Sequence, residues 1–455
     1  MSRSCFLSLA AVVTLAAAPA VLGAETRCGL RVATFSCDVT PPCGGQPLIW
    51  VTSVATVEDP LLAKGVILDD GRTRCVVCAV DWCGLCNSSH LLFRTKLAAA
   101  VGTDVCRVAV QCVHQHTAPY VDGDAQKLLD RTPSPPRYVD PVFMEEVTDR
   151  LAAAAKQSLA RLQAVDSVGT GTAVVERVGS SRRIITPDGK FHGRMSSAKD
   201  PALRALPEGF IDPLLRTVTL AQGGKPLARL HYYATHPQSF YGDPRACSDV
   251  PGFARERLQK KENVFQVYFT GCSGDVAMGK YNDGSRRARD ELTARLLAAM
   301  EKSAAATRLE PAGRLEWRTL PVVLPLAADA DTQLGKLRKE LANPEGSVIG
   351  RIRAATYVAF AERIRRPLDV SLLGIGKVHV LHLPGECMVE YQRFAEQLKP
   401  KDGFLAVAAY GDVGTGYICT AKAFAEGGYE PSASHLGRES EGVLKAAIRK
   451  ILAEN

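Results

Sequence analysis

Two histidines lie two positions apart where an apolar segment of the chain ends. His114 and His116 follow the apolar residues 108–110 and precede Pro119. Alternate side chains of a strand point to the same face, so both imidazoles are predicted to face one space. Proline cannot continue a strand ladder, and the ligands of α/β proteins bind where strands end. The pair is therefore a candidate metal site, and partly buried, hydrogen-bonded histidines are the alternative interpretation.

Two further apolar segments end next to residues of types that can bind metals. Residues 227–234 lead into Thr235-His236-Pro237, and residues 370–383 lead into Pro384-Gly385-Glu386. Two histidines with a glutamate are a recurring ligand set of catalytic zinc, which keeps one position for water. Glu386 alone has another explanation, a carboxylate stabilised at a helix N-terminus. Three strand ends with such side chains together favour a metal site.

The segments that position these residues alternate between strand and helix patterns. We predict helices over 141–162, 249–261 and 330–365, the last interrupted near Asn343-Pro344. Residues 120–138 are polar and rich in proline, which predicts a loop or lid over the site. The alternation predicts an α/β fold with mixed sheets and flanking helices, and with the metal site at the carboxyl ends of strands.

The first residues have the layout of a secretory signal peptide. Arg3 precedes an alanine-rich apolar stretch at 6–22, and small residues come before the charged Glu25. We interpret residues 1–24 as a signal peptide rather than a membrane anchor, because the stretch is short for a span. The protein is thus expected to be secreted or located in the periplasm or cell envelope, without a transmembrane segment. The net charge of +8 is dispersed along the chain, which argues against nucleic-acid binding.

Fourteen cysteines include two pairs spaced like metal ligands, Cys75 with Cys78 and Cys83 with Cys86. That spacing fits a zinc or iron–sulfur site. Apolar neighbours instead indicate a buried strand, in which cysteine packs as a small hydrophobic residue. Core packing is our interpretation, with disulfides and a metal cluster as the alternatives. Cys5 lies in the predicted signal peptide, which leaves an odd number of cysteines, so at least one has no partner within the chain.

Several short motifs occur in the order and approximate spacing seen in neutral ceramidases, and the chain resembles that family. They are His114-Gln115-His116-Thr117-Ala118-Pro119, Thr235-His236-Pro237, Gly274-Asp275-Val276, Pro384-Gly385-Glu386, and Tyr417-Ile418-Cys419-Thr420 with Tyr429-Glu430. Neutral ceramidases are secreted zinc amidases that cleave the N-acyl bond of ceramide. The resemblance implies that residues 25–455 form one catalytic domain of a zinc-dependent amidohydrolase.

The resemblance also implies roles for individual side chains. The zinc ligands would be His114, His236, Glu386 and Tyr417. His116 and Tyr429 would hydrogen-bond the substrate carbonyl or its oxyanion. Arg182, or its neighbour Arg183, would line the site.

Two features depart from the family pattern. Ceramidases have Gly-Asp-Val-Ser, whereas this chain has Gly274-Asp275-Val276-Ala277 and lacks the hydroxyl. Ceramidases continue into an immunoglobulin-like domain, whereas this sequence is expected to lack one after its last helix. The expected substrate is a small-molecule or lipid amide, with N-acyl sphingolipids and esters among the candidates, and contact with a membrane surface is the accompanying expectation.

Two other functions compete with the hydrolase. Ala277 suggests a non-catalytic relative that binds a metal or ligand without turnover. A serine or cysteine hydrolase could use Cys272 or Ser273, but the Gly-x-Ser-x-Gly elbow is missing. The complete ligand set with both tyrosines favours the metal-dependent enzyme.

Overall fold

The computed structural model describes residues 29–453, so the predicted signal peptide lies outside the described residues. Three larger sheets form the framework. In the order of their hydrogen bonding, the first sheet contains Val108–Cys112, Arg74–Val80, Leu62–Asp69, Arg31–Asp38 and Gln163–Ala164. The second contains Phe265–Thr270, Lys225–Tyr233, Leu214–Gln222, Ser167–Val174 and Arg308–Pro311. The third contains Leu315–Val322, Leu368–Ile375, Val378–His382 and Phe404–Ala408.

Helices flank these sheets, which confirms the predicted α/β class. The α-helices are Asn87–Val101, Gly123–Leu129, Pro141–Ser158, Pro201–Ala205, Asp249–Glu262, Arg286–Ala305, Ala330–Ala342, Val348–Arg363, Val389–Leu398, Ala421–Glu426, Tyr429–Ser432 and Ser440–Ala453. The predicted interruption near Asn343-Pro344 separates two helices, as expected. None of the helices in residues 29–453 combines the length and the apolar character that a bilayer span requires.

Each large sheet is antiparallel except for one parallel pair at an edge. These pairs join Arg74–Val80 to Val108–Cys112, Lys225–Tyr233 to Phe265–Thr270, and Val378–His382 to Phe404–Ala408. The three edges meet, because Ala409 N–H donates to Thr270 O at 2.9 Å and Cys112 N–H donates to Tyr410 O at 2.8 Å. The carboxyl ends of strands from all three sheets therefore converge on one region, where ligands bind in α/β folds.

The first cysteine pair packs in the core of this framework. Cys75 and Cys78 lie in the strand Arg74–Val80 and belong to two different hydrophobic clusters. Side chains three positions apart on a strand point to opposite faces, so these two thiols cannot share one metal ion. The predicted role as small hydrophobic residues agrees with this placement.

The expectation of a loop or lid over 120–138 is wrong for its first half. Residues Tyr120–Asp122 form a short strand and Gly123–Leu129 a helix. The Asp122 carboxylate caps this helix by accepting from the N–H groups of Asp124 and Ala125. The fully buried apolar residues of this helix are Ala125 and Leu129, and Leu128 packs half-buried against the core. This apolar pattern is too short to reveal the helical period among the polar neighbours.

Candidate metal centre

Three buried side chains from separate strand ends bring their ligand atoms together. The ligand atoms of His114, His236 and Glu386 all lie within 4.8 Å of one another. The two Nε2 atoms are 2.9 Å apart, and Oε2 of Glu386 is 3.3 Å from each of them. The structure thus assembles three of the four metal ligands that the sequence predicts.

The geometry of the histidine pair differs from the prediction that both lie on a strand. The strand ends at Cys112, and His114 has a left-handed backbone with φ of 73°. Its N–H donates to the carbonyl oxygen of Trp82 at 2.9 Å, which fixes this bend. The rings of His114 and His116 are consequently perpendicular, with centroids 4.9 Å apart. Only His114 enters the triad with His236 and Glu386, whereas a strand would have presented both imidazoles alike.

The orientation of the imidazoles leaves three lone pairs facing one another. Nδ1 of His114 lies 2.6 Å from the carbonyl oxygen of Cys83, and Nδ1 of His236 lies 2.8 Å from that of Ser273. A carbonyl oxygen only accepts, so each Nδ1 carries the proton and each Nε2 presents a lone pair. Oε2 of Glu386 also has no hydrogen-bond partner. Converging lone pairs in a buried space repel one another unless a cation lies between them, so these residues fit a divalent metal ion.

The pKa shifts favour the protonation states that metal binding requires. Burial lowers the pKa of His236 to about 4, and the neighbouring His114 adds to this effect. Burial alone would raise the pKa of the Glu386 carboxyl, but the two imidazoles hold it well below its usual value. A neutral imidazole at His236 and an ionised carboxylate at Glu386 are the forms that bind metals.

Tyr417, the predicted fourth ligand, lies beside this triad. It is the register partner of Glu386 in a short parallel strand pair, and its ring stacks on that of His236 with centroids 6.2 Å apart. Its hydroxyl accepts a hydrogen bond of 3.1 Å from Nη1 of Arg182. Burial raises the pKa of the Tyr417 phenol, and Arg182 opposes that shift. The placement agrees with the predicted role, which itself stays a prediction.

Of the two adjacent arginines, only Arg182 reaches the site. Its guanidinium lies 5.2 Å from the ring of Tyr429, and Nε lies 3.2 Å from the carboxylate of Glu430. Arg183 instead pairs with Glu430 at 2.8 Å and with Glu426 at 3.2 Å. Neighbouring residues in extended chain point to opposite sides, which explains the different surroundings. The predicted alternative, Arg183, is therefore a structural residue behind the site.

A cavity of about 550 Å³ opens onto these side chains. His114, His116, Glu386, Tyr417 and Tyr429 all line it. Its apolar lining comes from Ile49, Trp50, Val51, Leu337, Ile349, Ile352 and Tyr357. The volume lies in the range of small-molecule pockets, roughly 300–1,000 Å³. A substrate in this cavity would therefore meet His116 and Tyr429 beside the predicted ligand residues His114 and Glu386.

Tyr410 is a residue of the site that the sequence analysis did not predict. Tyr410 stacks on His114 with ring centroids 4.2 Å apart, and its hydroxyl lies 2.7 Å from Oγ of Ser273 and 3.2 Å from Nδ1 of His236. It therefore fixes both histidines from behind. It follows the strand Phe404–Ala408, so the rule that led to the three other strand ends would also have found this one.

The candidate nucleophiles are poorly placed for attack. Oγ of Ser273 is buried and is hydrogen-bonded to Tyr410. Cys272 is buried in the hydrophobic core, and burial raises the pKa of its thiol well above the usual value. Ala277 is buried as well and forms a bridge with His236, so the missing hydroxyl would lie next to a predicted ligand residue. These placements disfavour a covalent mechanism at residues 272–277.

Comparison with known proteins gives a match in structure but not in sequence. No protein-family model and no curated protein matches the chain. The crystal structure of a neutral ceramidase from Pseudomonas aeruginosa is similar with a TM-score of 0.68, at 15% sequence identity, over 93% of this chain and 74% of that chain. A ceramidase complexed with C2 is similar with a TM-score of 0.68, at 14% identity, over 93% and 75% of the two chains. The chain therefore has the fold of these ceramidases.

Proposed function

We propose that this protein is an exported zinc-dependent hydrolase that cleaves an amide bond in a small-molecule or lipid substrate, with water as the nucleophile. The observation that supports this most directly is the convergence of the ligand atoms of His114, His236 and Glu386. Two of these residues, His114 and Glu386, line the cavity. The fold shared with a neutral ceramidase supports an amide as the bond that is cleaved. Export is proposed from residues 1–24, and residues 25–455 are proposed to be one catalytic domain.

The proposed metal site uses residues of this chain only. His114, His236 and Glu386 would hold the ion, and Tyr417 would complete the set. When bound, zinc supplies a Lewis acid that polarises a carbonyl and lowers the pKa of water. Imidazole and carboxylate ligands with tyrosine suit zinc among the abundant divalent metals. Tyr410 and the two backbone carbonyls at Cys83 and Ser273 would keep the imidazoles oriented.

The side chains around the cavity would carry out the remaining steps. Burial lowers the pKa of His116 well below its usual value, so this imidazole is neutral. Its Nδ1 lies 3.1 Å from the carbonyl oxygen of His114, so Nε2 has the lone pair and can accept a hydrogen bond from the attacking water. Burial raises the pKa of Tyr429, so its phenol stays protonated and can donate a hydrogen bond to the oxyanion. Arg182, close to the rings of Tyr417 and Tyr429, would stabilise the developing negative charge.

Ala277 supports a second candidate, a ceramidase-like protein that binds a metal or ligand without turnover. A methyl group neither attacks a carbonyl nor donates a hydrogen bond, so catalysis that needs this hydroxyl is lost. The hydrolase is favoured because both tyrosines and the arginine remain around the cavity. Metal binding alone would not require donors placed outside the ligand set.

One experiment separates the two candidates. The purified protein is analysed for metal content and assayed with a panel of N-acyl amides and acyl esters, with and without a chelator. We expect one zinc per chain, and hydrolysis that a chelator abolishes and added zinc restores. Bound zinc without hydrolysis of any substrate would favour the non-catalytic protein. Hydrolysis that survives chelation, with an acyl group trapped on Cys272 or Ser273, would contradict the metal mechanism.

A further inference from the structure

A tight turn at Ile49–Val51 forms part of the cavity wall. The turn is closed at its base, where Leu48 N–H donates to Thr52 O at 2.9 Å. Ile49 N–H donates to Ala118 O at 2.9 Å, which ties the turn to the segment that contains His116. The position of the turn is therefore coupled directly to the candidate site.

The backbone of this turn is strained. Trp50 has φ of 58° and ψ of 25°, and Val51 has φ of 58°. The left-handed region is costly for residues with a Cβ atom, and for a β-branched residue such as valine it is a genuine outlier. Such conformations persist where the surroundings enforce them, and they cluster at binding and catalytic sites. None of the three residues is fully buried, and Val51 packs against the hydrophobic core at its side. Trp50 is exposed, so core packing does not explain its conformation.

The strained turn places the indole of Trp50 beside His116. Their ring centroids are 5.5 Å apart. Behind Trp50, the ring of Tyr241 stacks almost parallel, with centroids 6.1 Å apart and an angle of 7°. The two aromatic residues remain 36% and 46% exposed. We call them the aromatic platform, a pair of large apolar surfaces that face water at the edge of the cavity.

Trp50 and a cationic side chain lie at different places along the cavity lining. From Trp50, ring contacts lead through His116, His236 and Tyr417 to Tyr429. At the far end of this row, Arg353 lines the cavity and acts electrostatically on Tyr429. Arg353 is exposed and belongs to the helix Val348–Arg363. The apolar acyl group of an amide suits the exposed indole of Trp50, and a more polar amine component suits the neighbourhood of Arg353.

We propose that Trp50 is a specificity-determining residue that binds the apolar acyl group of the substrate and so holds the scissile carbonyl beside His116. This inference rests on the proposed function and adds the part of the substrate that the enzyme selects. Tyr241 supports the indole from behind, and the strained turn keeps it in place when no substrate is bound. Burying an acyl chain against the platform removes apolar surface of both partners from water.

The kinetic test varies the acyl chain at a constant amine. For wild type, kcat/KM is expected to rise with acyl length, whereas Trp50→Ala should lose about 10- to 100-fold on the longest substrate and little on an acetyl amide. Trp50→Phe keeps an aromatic surface and should restore most of the preference. Trp317→Phe, a tryptophan that does not line the cavity, is the matched control. An acyl-length dependence that is the same in wild type and Trp50→Ala would overturn the inference.

A binding test does not depend on turnover. Tryptophan fluorescence of the full chain is titrated with decanoate, and acetate serves as the control for carboxylate binding at the metal. We expect a saturable change with decanoate only, lost in Trp50→Phe and retained in Trp317→Phe. If decanoate leaves Trp50 unaffected, the inference fails even where amides are hydrolysed. If decanoate perturbs Trp50 but no amide is cleaved, the proposed function fails and the acyl site stands.

Discussion

Single side chains decide whether the three strand ends form a metal site. His114 and His236 each direct Nδ1 to a backbone carbonyl, at 2.6 and 2.8 Å, which leaves Nε2 free to bind. This arrangement fixes the tautomer of a ligating histidine and orients its ring. The backbone thus specifies the ligand atoms, and the sequence motif specifies only the residue types.

The first prediction concerns the ligand residues. His236→Ala or Glu386→Ala should lower zinc affinity by more than about 100-fold, since even outer-shell partners of ligands cost 10–100-fold. Metal analysis after dialysis against a weak chelator measures the change. Cys78→Ala is the control, because Cys78 is buried in the hydrophobic core. Loss of metal from the cysteine variant, with full retention in the other two, would show that the ion binds elsewhere.

The second prediction concerns Tyr429. Its pKa is raised by burial and by Glu386, against Arg182 and Arg353, so the phenol is a donor at neutral pH. Tyr429→Phe should retain zinc and the fold but lose about 100- to 1,000-fold in kcat, the usual effect of removing one oxyanion donor. Steady-state kinetics on the best amide substrate measure the loss. An unchanged kcat would remove Tyr429 from the catalytic machinery.

At the scale of elements, local sequence patterns predicted where a helix such as Pro141–Ser158 begins. Features that depend on contacts between distant segments of the chain could not be predicted in this way. The helix Pro141–Ser158 begins as predicted, because the Asp140 carboxylate accepts from the N–H groups of Val142 and Phe143. The bend at His114 could not be predicted, since it depends on the carbonyl of Trp82, more than thirty residues earlier in the chain. The helix Gly123–Leu129 was missed because its short apolar face is outweighed by polar residues.

The third prediction concerns an ion pair that joins the helix Asp249–Glu262 to the segment behind the site. Arg255 donates two hydrogen bonds of 2.8 Å to Asp81, and both side chains are 0% exposed. Asp81→Ala leaves both Nη groups of the buried arginine without their partner, while Nε keeps Glu256 at 2.8 Å. Breaking a buried pair in this way costs about 3–5 kcal/mol of the free energy of unfolding. Denaturant-induced unfolding measures this cost.

The exposed ion pair between Lys261 and Glu301 provides the matched control for that measurement. Its two side chains are 65% and 34% exposed. Glu301→Ala should therefore change the free energy of unfolding by less than about 1 kcal/mol. Equal effects of Asp81→Ala and Glu301→Ala would mean that the buried pair adds nothing to the stability of this region. Asp81 also precedes Trp82 and Cys83, whose carbonyls hold His114, so its loss should weaken zinc binding as well.

At the scale of the whole molecule, the three sheets bury several histidines away from the metal site. Burial lowers the pKa of His90 and of His231 to about 4, and that of His382 to about 3. In an unfolded chain the pKa of histidine is about 6.5. Between about pH 6.5 and 4 the unfolded chain therefore binds protons that the folded protein does not. The contribution of these three histidines to the free energy of unfolding is therefore complete above pH 6.5 and decreases as the pH falls through this window.

The fourth prediction uses His382 to test this acid sensitivity. Its Nε2 has no hydrogen-bond partner, and its ring stacks on Trp317 with centroids 5.5 Å apart. His382→Phe keeps the stacked ring but removes the proton-binding site. Below pH 6 the free energy of unfolding should decrease less steeply with falling pH in this variant than in wild type. The two slopes should differ by about 1.4 kcal/mol per pH unit.

Guanidinium unfolding at several pH values between 7.5 and 5 measures both slopes for this fourth prediction. Release of a metal ion from the proposed site at acid pH would affect wild type and variant alike, so it would cancel in the difference between the two curves. The hydroxyl of Ser371, 3.3 Å from Nδ1 of His382, loses its partner in the variant and shifts the curve at every pH without changing its slope. Parallel curves for the two proteins would therefore mean that His382 takes up its proton as readily in the folded state as in the unfolded chain.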